Sequence, residues 1–128
     1  MKEWASVTLF KFIRVKTVAI ADIHFSFMRG DHGDGLAFDG PEPKGGVAHS
    51  FPPPDGRVHF DAAQKWSGRG ERDGFDIETV GLHELGHVLG LGHSGVQGAV
   101  MYPVISHGER KHLHEDDVKG VKTLYKLK

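Results

Sequence analysis

The spacing of apolar residues changes several times along the chain, and each change marks an element. Residues 5–15, "ASVTLFKFIRV", alternate loosely and are rich in β-branched and aromatic side chains. Residues 20–28, "IADIHFSFM", alternate more strictly, with Ile23, Phe25 and Phe27 on one face. A period of two predicts a strand in each. Residues 29–46 are dense in Gly, Asp and Pro and predict a long loop. "VAHSF" (47–51) and "RVHFD" (57–61) read as short strands around a "PPPDG" turn (52–56), and 67–74 as a mobile connection.

From residue 76 the period lengthens. Asp76 is placed to cap a helix over 76–89, in which Ile77, Val80, Leu85, Val88 and Leu89 recur at helical spacing. Gly90 is placed to end it in the left-handed conformation. A second helix is expected over 112–127, with Val118, Val121 and Tyr125 on one stripe. No repeat appears, and strands followed by helices imply an α+β fold.

Composition narrows this picture. The chain of 128 residues fits a single domain over 1–128. A net charge of −1 provides no concentrated basic face, so no nucleic-acid partner is expected. There is no apolar run long enough for a membrane span. The charged start "MKEWASVTLFKFIRV" does not read as a signal peptide. With no cysteine, disulfides, thiolate metal sites and a thiol nucleophile are excluded together. Ten histidines suggest metal or proton chemistry.

Three of those histidines fall in "HELGHVLGLGH", residues 83–93. Residues four apart on a helix share a face, so His83 and His87 can aim ring nitrogens at one point. Glu84 sits one residue round, beside that point, suited to act as a base on a metal-bound water. Gly90 permits the sharp turn that brings His93 back as a third ligand. Three neutral imidazoles with a fourth position open to water form a catalytic zinc site. Zinc lowers the pKa of its water to roughly 7, and Glu84 can take that proton and return it to a leaving amine. Met101, in "AVMYP", lies eight residues past His93. That pattern resembles the metzincins, in which a methionine turn supports the floor of the site without binding the metal.

The upstream segments "RGDHGDGLAFDGP" (29–41), "VAHSF" and "RVHFDAAQKW" (57–66) resemble the matrixins, the matrix metalloproteinase family, over most of the chain and especially its plant members. The resemblance implies a metzincin-like domain, a twisted mixed sheet with an active-site helix and a C-terminal helix. It implies a second, structural zinc held by His32, Asp34, His49 and His59, a donor set that makes a closed shell without water. It also implies a calcium bound by Asp39, Gly40 and Asp61. Gln64 stands where the family usually has glutamate, which weakens that site by one charge. A further family calcium is expected to be lost, because Arg57 stands near its acidic position.

The same resemblance makes "VAHSF" the edge strand on which substrate pairs, with Ala48 offering backbone hydrogen bonds. It makes "MYPVIS" (101–106), with Pro103 and Ile105, the wall of the specificity pocket, and puts Thr79 and Val80 near its inner surface. "EWASVT" resembles the end of the family's first helix. The preceding strand and most of that helix are missing, so apolar surface of "TLFKFIRV" and "IHFSF" should be exposed, giving marginal stability or self-association. No zinc-blocking cysteine would hold the chain latent. Asp116 and Asp117 match an aspartate pair that meets the mature N-terminus in the family, and they equally suit a helix start. His24, His107, His112 and His114 read as surface or loop residues.

The expectation is a zinc endopeptidase with Glu84 as general base, cleaving extended segments of extracellular proteins outside the cell or at its surface. The alternative is a non-catalytic zinc-binding module.

Overall fold

The computed structural model describes residues 1–41, 46–69 and 71–128. Three short strands make one sheet: β1 (His24–Met28), β2 (Ala48–Ser50) and β3 (Arg57–Asp61). β3 is central, parallel to β1 in the register His24↔Arg57 to Met28↔Asp61 and antiparallel to β2 in the register Ala48↔Phe60 to Ser50↔Val58. β4 (Trp66–Ser67) and β5 (Phe75–Asp76) pair in parallel and pin both ends of the 67–74 connection. The α+β class and the mixed sheet expected from sequence are present.

α2 (Ile77–Val88) starts where expected. The Asp76 side chain accepts from the Thr79 amide at 2.8 Å, and Gly90, at φ +97°, turns the chain out of the helix. Val80, Leu85, Val88 and Leu89 are buried against Val58 and Phe60 of β3 and against Val100, Met101 and Val121. That packing fixes the helix across the sheet beside β2.

α3 (Glu115–Leu124) begins three residues later than its pattern suggests. His114 forms a capping box with Asp117 and stops the helix from starting earlier. Asp116 accepts from the Ser94 hydroxyl, and Asp117 accepts from the amides of Val100, Met101 and His114. Both aspartates thus serve the helix start and the 94–101 segment, with contacts inside the C-terminal third of the chain. Of the four histidines left to surface or loop, His112 meets Glu3 and His107 packs edge-on to Phe75.

The strand expected over residues 5–15 does not form. Residues 5–7 belong to α1 (Lys2–Val7), which the fully buried Trp4 anchors by donating from its indole to the Leu82 carbonyl at 2.9 Å. Beyond Thr8 the alternation is real, with Phe10 and Phe12 packed inward and Leu9 and Ile13 outward, but among the described residues no neighbouring strand supplies a ladder. The strand expected over 20–28 shortens to β1, because a single 3-10 turn occupies Val18–Ile20. Leu9 and Ile13 are 84% and 80% exposed, and Phe25 and Phe27 41% and 54%. The apolar surface anticipated from "TLFKFIRV" and "IHFSF" does face solvent.

Candidate active site

His83 is buried on α2, His87 lies one turn on, and His93 returns after the Gly90 turn. Their Nε2 atoms converge: His87 lies 3.1 Å from His83 and 3.2 Å from His93. The outer nitrogens decide what those short distances mean. His83 Nδ1 meets the Val100 carbonyl at 2.7 Å and His87 Nδ1 meets the Leu91 carbonyl at 2.8 Å. A carbonyl only accepts, so each Nδ1 carries the proton and donates, and each Nε2 presents a lone pair. Lone pairs this close repel unless a cation lies between them. A tetrahedral zinc with nitrogens at about 2.05 Å would set them roughly 3.3 Å apart, so the donor set fits that ion.

Burial lowers the His83 pKa to about 4; the Val100 bond opposes this, and the neighbouring His87 and His93 rings reinforce it. The ring stays neutral, as a ligand must be. Burial also raises Glu84 to about 7, against the Ser50 hydroxyl that donates to its Oε2 at 2.6 Å. A carboxyl poised near neutrality beside a metal locus suits proton transfer.

The floor is held from below. The amide of the 100–101 peptide donates to Asp117 Oδ1 at 3.0 Å while its carbonyl receives His83. The Lys111 ammonium donates to the carbonyls of Gln97 and Ala99. Met101, 2% exposed, lies against α2 at Gly86, where an added Cβ would stand 2.2 Å from its sulfur. Gly86 is therefore the residue that lets the methionine turn approach the helix. Gly86→Ala should lower the melting temperature by roughly 5–10 °C, through overpacking of about 1–3 kcal/mol. Thermal unfolding checks this, and an unchanged midpoint would mean that Met101 does not press on the helix.

The second cluster joins loop and sheet. Asp34 Oδ2 lies 2.9 Å from His32 Nε2, 2.8 Å from His49 Nε2 and 2.8 Å from His59 Nδ1. His59 Nδ1 lies 3.1 Å from His32 and 3.3 Å from His49. The other nitrogen of His32 meets the Gly30 carbonyl, so its Nε2 faces the carboxylate as an acceptor. Desolvation opposes ionisation of Asp34, but the Leu36 amide and the His49 and His59 rings outweigh it and hold the carboxyl well below the usual carboxylate range. Four donors at the corners of a small tetrahedron, with no open corner, fit a structural zinc.

Beside the three-histidine locus lies a cleft of about 530 Å³, lined by β2, Glu84, Pro103 and Ile105. Ala48, Pro103 and Ile105 line this cleft. Thr79 and Val80 are not among its lining residues, and both are 1% exposed. The Thr79 hydroxyl donates to Asp76 and accepts from the Lys111 amide, so the helix cap claims it, and Val80 faces the core. Gly40 and Asp61 meet at the end of β3, where Gln64 donates to both of them. Ser50, Lys111 and the clamping role of Asp117 carry no mark in the sequence. Their partners are 12 to 34 residues distant, and no local spacing encodes them.

Residues 1–126 match the Matrixin family model, nearly the whole chain. The chain belongs to the matrixin family. Among matrixins it is 45% identical over 130 residues to Metalloendoproteinase 2-MMP of Arabidopsis thaliana, covering 95% of this chain and 34% of that protein. It is 46% identical over 128 residues to Metalloendoproteinase 4-MMP of the same plant, covering 96% and 37%. Human Matrix metalloproteinase-20 is 43% identical over 130 residues, covering 98% and 26%. The chain thus spans about a third of the length of its plant relatives. Zinc is the metal the family implies, and both histidine clusters fit it.

Proposed function

We propose that the chain is the catalytic unit of a zinc endopeptidase that cleaves extended peptide segments. The observation that carries this reading is the convergence of three imidazole Nε2 atoms, with His87 lying 3.1 Å and 3.2 Å from the other two, beside a buried glutamate and at the wall of a cleft bordered by a strand edge. Zinc, when bound, would supply Lewis-acid chemistry, polarising the substrate carbonyl and making water acidic near neutrality.

The protein residues provide the rest. Glu84 takes the proton of the attacking water and hands it to the leaving amine nitrogen. Ser50 fixes the carboxylate's orientation. β2 is the outer strand of its sheet, and its Val47 carbonyl and Phe51 amide bond to β3. Pleat alternation then turns the backbone groups of Ala48 and Ser50 outward, where a substrate strand can pair with them. Pro103 and Ile105 form an apolar wall for the side chain after the scissile bond. By family resemblance the substrates are extracellular proteins, met outside the cell or at its surface. Among the described residues no helix is long and apolar enough to cross a membrane.

A fluorogenic peptide with leucine after the cleaved bond tests the reading. Turnover should need zinc and stop with chelator. Cleavage that survives chelation would refute it, and bound zinc without turnover would favour the non-catalytic module.

Acid should silence the enzyme. Imidazoles that protonate release their metal, so turnover should fall between about pH 6 and pH 4. In the zinc-free chain, His83 titrates at about 4 when folded and near 6.5 when unfolded. The unfolded state then binds more protons across that window. The His83 contribution to stability is complete above the upper value and lost as pH falls toward the lower one. An activity profile flat down to pH 4 would contradict the assignment.

A further inference from the structure

The calcium implied by resemblance at the end of β3 does not match the chemistry of the residues there. Asp61 is fully buried and Gln64 is 8% exposed. The Gln64 amide nitrogen donates to Asp61 Oδ2 at 2.9 Å and also to the Gly40 carbonyl. The remaining carboxylate oxygen accepts from the Ala63 amide at 2.8 Å. The Asp61 amide donates to the Val47 carbonyl, and its carbonyl accepts from the Trp66 indole at 2.8 Å. Every polar group of Asp61 therefore has a protein partner.

Calcium gathers about six to eight oxygens at roughly 2.3–2.6 Å and needs the lone pairs of each. The Gln64 amide group takes one lone pair each on Asp61 Oδ2 and the Gly40 carbonyl oxygen and sets positively polarised hydrogens between them, and an N–H cannot itself ligate a cation. Replacing glutamate by glutamine also removes one negative charge from the site.

We propose that the Gln64 amide takes the place of calcium, tying Gly40 to the end of β3 by hydrogen bonds alone. The tether joins the loop that carries His32 and Asp34 to the strand that carries His59. It holds that loop whatever the calcium concentration. If the amide were turned the other way, its oxygen would join Asp61 and Gly40 in a set of three oxygens, and an ion would be needed between them.

The experiment uses the zinc-loaded chain in calcium-free buffer, with calcium added to about 5 mM, roughly five to fifty times typical extracellular-module dissociation constants. Calorimetry reads the melting temperature, and a calcium isotherm reads binding. The parent should move by less than about 1 °C, and Gln64→Glu should gain roughly 5 °C together with one more bound calcium. Gln64→Ala should melt roughly 4 °C below the parent in either buffer, having lost the tether. A parent that rises with calcium as far as Gln64→Glu does would overturn the proposal. So would a Gln64→Glu variant that binds no more calcium than the parent.

Discussion

Glu84→Gln is expected to lower kcat by about a thousandfold or more while leaving zinc in place, because general acid–base catalysis at one carboxylate is worth roughly that factor. The amide keeps the shape of Glu84 and its contact with Ser50, but it cannot take a proton. The same substitution should stabilise the zinc-free fold. The Glu84 pKa is raised by burial to about 7, so the folded state resists ionisation that the unfolded state accepts above about 4.5. The penalty appears as pH rises past the lower value and is complete above the upper one. It is on the order of 2–3 kcal/mol at neutral pH. The variant should therefore melt higher than the parent at pH 7.5 and equally at pH 4, with zinc removed in both. A variant that cleaves as well as the parent would end the assignment. One that is inactive but no more stable would mean that the carboxylate is better solvated than its burial indicates.

The second large effect concerns the loop cluster. Asp34→Ala should remove the structural zinc and lower the melting temperature by about 10 °C or more, since closed zinc sites contribute folding free energy directly. Asp34 Oδ2 is the one atom that meets all three rings, at 2.8–2.9 Å, so its removal leaves three imidazoles gathered with no anion and no fourth ligand. Hydrogen exchange should quicken across 30–40 and 48–50, because Phe38 is stacked on the His32 ring and packs tilted against His49, which β2 carries. Turnover should drop about tenfold as the edge strand loosens. His87→Ala should do the reverse, abolishing turnover with a much smaller change in melting. Equal melting for Asp34→Ala and parent, in the presence of zinc, would show that the loop needs no metal.

The catalytic half of the molecule was legible because its information is local. Asp76, the apolar spacing after it, His83, Glu84, His87 and Gly90 lie within fifteen residues, and helix geometry converts their spacing into position. The loop cluster was legible only through resemblance, since His32 and His59 meet across 27 residues of chain. What the sequence misplaced depended on partners it cannot display. Residues 8–15 alternate like a strand but find no ladder among the described residues, and Trp4 draws the preceding segment into a helix instead. Thr79 sits one turn before His83, yet the helix cap takes its hydroxyl away from the cleft.

Two separate zinc ions would organise this chain, one of them at the meeting point of His83, His87 and His93. Anomalous diffraction at the zinc edge, from crystals of the zinc-loaded chain, tests it most directly. Two peaks are expected, one equidistant from the three Nε2 atoms and one enclosed by His32, Asp34, His49 and His59. An intact fold whose three helix and turn imidazoles point apart, with no peak between them, would contradict it.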